Sequence, residues 1–337
     1  MSWRIVTRRS KRGELARTLA SISDYEPDIM NPRSFNEKVQ WMKLNHHDSL
    51  MTRCADKVSV RDYVRERIGE RYLVPSLGVW SSATGIDFAS LPHRYVLKVN
   101  YGSGTNVICD GRGAFDVDDV RSRLAEWMEP RWNHYLYSYE WAYKDIQPLI
   151  LGEAYLEDPS GDPPDYKFFC FGGEPRAIQV TVGRRVSRAD AYMDPDWNQL
   201  PFGRYVPIPE VLPEAPATLK EMVRLARILA QPFSMVRVDF YEHDGQVKFG
   251  ELTFYPGNGT EPFRPADADF EMGSWWDLPA VRRRTPYFEV LRHSGHVPRV
   301  EGQFPRKLRA GVGRVRRILV RVPGVRAVAR HARGLSK

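Results

Sequence analysis

Residues 234–257 read Ser-Met-Val-Arg-Val-Asp-Phe-Tyr-Glu-His-Asp-Gly-Gln-Val-Lys-Phe-Gly-Glu-Leu-Thr-Phe-Tyr-Pro-Gly and predict a β-hairpin. Apolar and polar residues alternate along both halves, as they do in strands with one buried face. Arg237 and Asp239 fall on the polar face of the first strand, and Glu251 and Thr253 on one face of the second. The dipeptide Asp244-Gly245 between the halves is a strong turn signal.

The length of this turn decides whether the two acids share a face. A two-residue turn, Asp244-Gly245, would place Asp239 opposite residue 250 and turn Glu251 to the wrong face. A three-residue turn that includes His243 would make Glu251 the diagonal neighbour of Asp239, about 7–8 Å away between backbones. We therefore expect a turn with an odd number of residues. The two carboxylates could then share Mg²⁺, and a solvated face with scattered acids is the alternative.

The composition indicates an ordered globular protein. Hydrophobic residues make up 42% of the 337 residues and aromatic residues 12%, enough for two or three lobes around a core. We find neither a membrane-spanning stretch nor the apolar segment of a signal peptide. The three cysteines (Cys54, Cys109 and Cys170) are far apart, which favours reduced thiols in the cytoplasm over a disulfide or a zinc site.

The basic character of the chain comes from its C-terminus. Eleven Lys and Arg and no acid follow Glu301, so removing them from the net charge of +8 leaves −3 for residues 1–301. Residues 303–337 also carry valines at helical spacing, which predicts a basic amphipathic helix at an anionic membrane surface, on the inner face of the membrane. A solvated tail is the alternative. A nucleic-acid arm is not expected, because stacking aromatics are missing beyond Phe304.

Helices and hairpins are both predicted, so the fold class is α+β (α/β) with antiparallel sheets. Ser34 and Glu37 form a capping-box pattern at the start of a helix. The basic lead over residues 1–20 and the segment 57–68 are expected to be helical. Gly172-Gly173 is expected to join two further strands as a hairpin.

Three more places along the chain suggest a site for a nucleotide. Lys98 lies near the end of a strand, and the loop Gly102-Ser103-Gly104 could expose backbone N–H groups to an anion. The strand that ends at Glu153 continues to Leu156, Glu157 and Asp158, whose backbone could meet a planar base and whose acids could bind ribose. Lys167 begins a strand among aromatics. Each place has an alternative. The glycine loop could be an ordinary turn, the strand end at Glu153 could be solvated, and Lys167 could be a surface lysine.

The order of these pieces resembles the ATP-grasp superfamily, and more closely its TupA-like (teichuronopeptide biosynthesis) branch. The resembling stretches lie between about residues 31 and 279, and each is weak alone. They are Asp56-Lys-Val-Ser-Val-Arg-Asp-Tyr-Val64, Leu91-Pro-His-Arg-Tyr-Val-Leu-Lys98, Asp165-Tyr-Lys-Phe-Phe-Cys-Phe-Gly-Gly-Glu174, Met193-Asp-Pro-Asp-Trp197, Val236-Arg-Val-Asp-Phe-Tyr241, Phe249-Gly-Glu-Leu-Thr-Phe254 and Met272-Gly-Ser-Trp-Trp-Asp-Leu-Pro279.

The resemblance implies an ATP-grasp fold, in which the nucleotide lies between two antiparallel β-sheets, followed by the basic helical tail. The expected parts are an N-terminal lobe (1–90), a central lobe with a glycine lid (91–155), a C-terminal lobe with the metal hairpin (156–301) and the tail (302–337).

The same resemblance assigns residues to roles. Lys98 and Lys167 would contact the nucleotide, with Lys167 and Arg237 taking part in catalysis. The remaining nucleotide contacts would be Gly102, Ser103, Gly104, Glu153, Leu156 and Glu157. The metal ligands would be Asp239, Glu251 and Thr253. Thr253 stands where the family commonly has Asn, and Asn258 is a possible substitute. Lys57 matches the branch pattern without an assigned role.

The implied activity is an ATP-dependent carboxylate–amine ligase in the synthesis of a bacterial capsule or cell-surface polymer, with ATP and Mg²⁺ as cofactors. A carboxylate attacks the γ-phosphate of ATP to give an acyl phosphate and ADP, and an amine then displaces phosphate to form an amide. The substrates would be a small-molecule or glycan carboxylate and an amine. The alternatives are a glycosyltransferase of a capsule pathway and a non-catalytic nucleotide-binding scaffold.

Overall fold

A computed structural model describes residues 2–111, 116–157, 164–183, 187–281 and 288–293, with the backbone alone for 2–9 and 288–293. The helices of this part of the chain are α1 Arg8–Ala20, α2 Phe35–Asn45, α3 Ser49–Ala55, α4 Val60–Arg67, α5 Val117–Trp127, α6 Tyr135–Ser138, α7 Leu219–Ala230 and α8 Asp267–Ser274. Among them, none is long and apolar enough to cross a membrane.

The strands among the described residues form three antiparallel sheets, which confirms the predicted α+β class. They are β1 Ser2–Thr7, β2 Ser76–Trp80, β3 Tyr95–Val99, β4 Asn106–Cys109, β5 Ile150–Ala154, β6 Asp165–Phe171, β7 Glu174–Val182, β8 Ala189–Met193, β9 Met235–His243, β10 Gln246–Thr253 and β11 Phe288–His293. One sheet has the order β10-β9-β6-β7-β8 and a second has the order β2-β5-β3-β4. The strands β1 and β11 pair with each other alone.

The hairpin of β9 and β10 has a different turn from the one expected. Gln246 pairs with His243, so the turn has two residues and the prediction of an odd number is wrong. Asp244 and Gly245 have φ angles of 50° and 67°, the left-handed conformation that a tight hairpin turn requires.

The acids nevertheless share a face, because a β-bulge corrects the register. The pairing shifts between Phe249 and Glu251, so that Gly250 is the extra residue and Glu251 lies directly opposite Asp239. Directly opposed residues of an antiparallel pair project to the same side. A Cβ at Gly250 would lie 3.1 Å from the Asp239 carbonyl oxygen, so glycine suits the bulge.

Helix α2 begins as predicted. The Ser34 side chain accepts a hydrogen bond from the Glu37 backbone N–H, and the Glu37 carboxylate accepts one from the Ser34 N–H at 2.9 Å. These bonds satisfy donors that a helix start leaves free. The helix then buries Phe35 against Phe169 of β6, which anchors it on the larger sheet.

Other predicted elements differ at their boundaries. The N-terminal lead is a strand, β1, followed by α1, and was expected to be helical throughout. The predicted helix over 57–68 is the shorter α4, and the hairpin at Gly172-Gly173 is confirmed. The tail (302–337) and Asp158 lie outside the described residues. The bounds of the three lobes remain predictions.

Candidate active site

A row of polar side chains crosses one face of the larger sheet. Glu251 lies opposite Asp239, Asp239 opposite Lys167, and Lys167 opposite Gln179. Cross-strand partners project to the same side, so four successive strands contribute to one surface. The sequence predicted the acids and Lys167 separately, and the pairing of β6 with β9 brings them together.

Arg237 lies at the centre of this surface and bonds to both acids. Its Nε and Nη2 donate to the two carboxylate oxygens of Asp239, each at 2.7 Å. Nη2 also donates to Glu251 Oε1 at 2.9 Å and to Thr253 Oγ1 at 3.1 Å. The two-pronged contact with Asp239 is the geometry in which guanidinium binds carboxylate most strongly.

Burial and neighbouring charges shift the pKa values of this cluster in opposite directions. For Asp239 burial outweighs the charges of Arg237 and Lys167, so its pKa lies above the usual value. Burial opposes ionisation of Glu251, but Lys57 and Arg237 lower its pKa to about 2. Burial also opposes the charge on Arg237, yet Asp239 raises the pKa of Arg237 above its ordinary value. Burial lowers the pKa of Lys167 to about 8, although Asp239 partly offsets this effect. Lys167 also forms an ion pair with Asp165.

Lys57 connects the acidic pair to the glycine loop. Its Nζ donates to the Gly102 carbonyl oxygen at 2.7 Å and lies 3.8 Å from Glu251 Oε2. Burial lowers the pKa of Lys57, and the charge of Glu251 acts in the opposite direction. The family resemblance included Lys57 in a matching stretch but gave it no role. The structure places it between the two sheets.

Lys98 and Glu153 lie together on the smaller sheet. Lys98 Nζ is 2.7 Å from Glu153 Oε2, and Arg61 Nη1 is 2.8 Å from Glu153 Oε1. Arg61 was not predicted as a site residue, although it lies four residues after Lys57 in one of the resembling stretches. A small cavity lies where the two sheets face each other. It is lined by Lys57, Arg61, Lys98, Leu151, Glu153, Phe249 and Gly250.

The other expected nucleotide contacts lie in the segments that follow β3 and β5. Ser103 and Gly104 are exposed in the loop after β3, and Gly104 has a φ of 71°. Leu156 is half-buried in the segment that follows β5. Glu157 is exposed: its carboxylate pairs with Arg94 at 2.7 Å, and its carbonyl oxygen contacts His243 Nδ1 at 2.8 Å.

The polar surface continues beyond Lys167 with residues that sequence reasoning missed. Asp190 of β8 accepts hydrogen bonds from Gln179 Nε2 at 2.9 Å, Thr181 Oγ1 at 2.7 Å and Arg188 Nη2 at 2.7 Å. Arg204 is buried, pairs with Glu261 and lies 4.6 Å from the centre of the Phe263 ring. Except for that of Arg188, these contacts join separate segments of the chain, so no local pattern reveals them.

The donor set fits a magnesium ion. It contains two carboxylates, since no group of three or more His, Cys, Asp and Glu side chains suited to a metal occurs in the described part of the chain. Asp239 and Glu251 offer four oxygens on one face with the Thr253 hydroxyl beside them, and Mg²⁺ usually completes such a shell with waters and substrate phosphates. The side-chain oxygen of Asn258, the suggested substitute, accepts a hydrogen bond from Lys43 Nζ.

Comparison with known proteins identifies the family. The sequence model of the TupA-like ATPgrasp family matches residues 37–276. A search of curated proteins finds no match. Solved structures that the chain matches include a D-alanine–D-alanine ligase from Bacillus anthracis complexed with ATP, at 17% identity and a TM-score of 0.36. That alignment covers 60% of this chain and 55% of the ligase, so the chain spans little more than half the ligase's length.

Two other similar structures are a D-alanine–D-alanine ligase from Helicobacter pylori and the ATP-grasp ligase PsnB with a minimal precursor. The first has 11% identity and a TM-score of 0.40, with 72% of this chain and 69% of the ligase covered. The second has 10% identity and a TM-score of 0.33, with 64% and 55% covered. The family match covers well over half of the 337 residues. This protein therefore belongs to the TupA-like ATP-grasp family.

Proposed function

We propose that the protein is an ATP-dependent carboxylate–amine ligase that acts through an acyl phosphate. Family membership supports an ATP-dependent ligase in general. The observation that carries the specific reaction is the cluster of Arg237, Asp239 and Glu251 beside Lys167, with Lys57 reaching it from the glycine loop. Phosphoryl transfer to a carboxylate needs carboxylates that hold a metal ion and, close to them, cationic side chains that bind the phosphate oxygens.

The carboxylates and the lysines of the site take separate roles. Asp239 and Glu251, with Thr253 beside them, would hold Mg²⁺, whose bound charge neutralises phosphate oxygens. Lys98 lines the cavity between the sheets, and Lys167 lies opposite Asp239 on the larger sheet. We assign both to the phosphates of ATP.

The remaining roles follow from position in the cleft. Arg237 would orient the carboxylate that attacks the γ-phosphate, since guanidinium binds planar carboxylates in two-pronged fashion. The loop Gly102-Ser103-Gly104 would cover the phosphates and exclude water from the acyl phosphate. Glu153, Leu156 and Glu157 would meet adenosine. Since Lys98 and Arg61 neutralise the Glu153 carboxylate, a negatively charged nucleotide could approach it.

We further propose that the substrates belong to a cell-surface polymer, with a sugar acid or an amino acid as the carboxylate and a small molecule or glycan as the amine. This proposal rests on the family resemblance. Contact with an anionic membrane through residues 303–337 remains a prediction about residues outside those described.

Trapping with hydroxylamine tests the reaction without knowledge of the amine. Hydroxylamine attacks an acyl phosphate and gives a hydroxamate, which iron(III) reveals by colour. We expect the protein with Mg-ATP to form hydroxamate and ADP in equal amounts with at least one member of a panel of uronic acids, amino acids and N-acyl amino acids. If no acid in the panel yields either product, while an ATP analogue still binds, the scaffold alternative replaces the ligase proposal.

Nucleotide affinity should depend on pH through Lys167. Because the pKa of Lys167 is about 8, its charge and its attraction for phosphate are lost as the pH rises through that value. The dissociation constant of a non-hydrolysable ATP analogue should increase by about tenfold between pH 7 and pH 9.5, which corresponds to ~1.4 kcal/mol. Calorimetric titration across this range measures the effect.

The variant Lys167→Arg provides the control, because an arginine keeps its charge throughout this range. Its analogue affinity should change little with pH. A decline that persists in Lys167→Arg would point instead to Lys43, a buried lysine whose pKa burial also lowers to about 8.

A further inference from the structure

We propose that Arg237 competes with the divalent cation for Asp239 and Glu251, so that metal binding must move the guanidinium toward the anionic substrate. In this arrangement Arg237 holds the metal ligands in place before the metal arrives. This inference deepens the proposed function and rests on it for the identity of the anion.

The first argument is that Arg237 holds three of the four oxygens of the two carboxylates, while Lys57 forms a longer ion pair with the fourth. Arg237 takes both oxygens of Asp239 at 2.7 Å and Glu251 Oε1 at 2.9 Å. Thr253 Oγ1 donates to Glu251 Oε1 at 3.0 Å, and Lys57 Nζ lies 3.8 Å from Glu251 Oε2. A cation can reach three of these oxygens only by sharing or replacing hydrogen bonds that Arg237 already makes, and it meets the charge of Lys57 near the fourth.

The second argument is that sharing is unfavourable. Mg²⁺ binds oxygens at about 2.0–2.1 Å. A metal on an oxygen that also accepts from Arg237 would therefore lie close to the guanidinium, in a site where Asp239 and Arg237 are largely buried. Water screens charges poorly in such a site, so a divalent ion and a guanidinium repel each other strongly.

The third argument concerns where the guanidinium can go. Glu261 acts electrostatically on Arg237, but Glu261 is already paired with Arg204. If the metal binds Asp239, Arg237 therefore loses its closest anion, and Glu261 is not free to replace it. A substrate carboxylate or phosphate would supply that replacement. Metal and anion should therefore favour each other's binding, in the reciprocal way that coupled sites require.

The test is the affinity for Mn²⁺ without nucleotide, followed through the electron paramagnetic resonance signal of the free ion. Arg237→Met removes the competing charge while keeping a side chain of similar length. It should bind Mn²⁺ at least about tenfold more tightly than the unaltered protein, within the range typical of coupled sites. Arg227→Met is the matched control, because this exposed arginine pairs with Glu174 at 2.7 Å, and its Mn²⁺ affinity should not change.

Two further variants secure the interpretation. Arg237→Lys keeps a charge but cannot hold both carboxylates in two-pronged fashion, so its Mn²⁺ affinity should be intermediate. Adding Asp239→Asn to Arg237→Met should abolish the increase in Mn²⁺ affinity. That loss would show that the ion binds at this site. Mn²⁺ should also raise the thermal unfolding temperature of Arg237→Met more than that of the unaltered protein, since a ligand stabilises the state that binds it.

The inference is overturned if both Arg237→Met and Arg237→Lys bind Mn²⁺ with an affinity within twofold of the unaltered protein. This holds even if hydroxamate forms normally. If instead Mn²⁺ binding tightens but no acid yields hydroxamate, the competition stands and the ligase proposal fails. The two outcomes are therefore distinguishable.

Discussion

Asp239→Asn is expected to lower the rate of hydroxamate formation by about 10³-fold, the upper end of what losing one preorganised electrostatic group costs. Asp239 lies opposite both Glu251 and Lys167 and is buried, so an amide there removes half of the proposed carboxylate pair. The amide also weakens the two-pronged contact with Arg237. The measurement is hydroxamate and ADP release at saturating Mg-ATP with the best acid of the panel.

Asp244→Asn is the matched control for that prediction. It makes the same chemical change in the same hairpin, but the Asp244 side chain is 86% exposed at the turn. Asparagine also tolerates the positive φ of that position. Its rate should stay within twofold of the unaltered protein. Equal rates for Asp239→Asn and the unaltered protein would contradict the assignment of Asp239 to the metal.

Phe35→Ala should destabilise the fold by about 3–5 kcal/mol, the usual cost of removing a buried aromatic side chain. Phe35 is fully buried where α2 meets the larger sheet. Its ring centre lies 5.9 Å from that of Phe169, 6.2 Å from Phe171, 6.0 Å from Phe263 and 5.8 Å from Trp276. Alanine would leave a cavity among four rings that cannot all move inward.

Urea-induced unfolding, followed by tryptophan fluorescence, measures the change. The control is Val211→Ala, which shortens a side chain that is 84% exposed and should alter stability by less than about 0.5 kcal/mol. Phe169 lies two residues from Lys167 on β6 and opposite Arg237 on β9, so loosening the Phe35 cluster should also reduce activity. A loss of less than 1 kcal/mol for Phe35→Ala would mean that neighbouring side chains fill the space.

Much of the fold followed from local patterns. The capping box of Ser34 and Glu37 predicted the start of α2 because both of its hydrogen bonds join residues three apart. The alternation of polar and apolar residues predicted β9 and β10, because side chains of a strand alternate between its faces. The family resemblance then supplied the ATP-grasp fold class, which the family match confirms.

The site was harder to predict, since its contacts join residues far apart in the chain. Lys57 reaches Gly102 and Glu251, and Arg61 reaches Glu153, through the packing of separate elements. No period or spacing in one segment encodes such contacts. The ion pair between Lys98 and Glu153 likewise depends on the pairing of β3 with β5.

By itself the sequence determined that Asp239 and Glu251 belong to the two strands of one hairpin, because alternation and an Asp-Gly turn are local properties. Only the tertiary structure decided how these acids come to share a face. A two-residue turn combines with a bulge at Gly250, where an extra residue is accommodated by strand pairing and by the close approach of the Asp239 backbone. A bulge depends on the partner strand, so the residues of β10 alone could not reveal it.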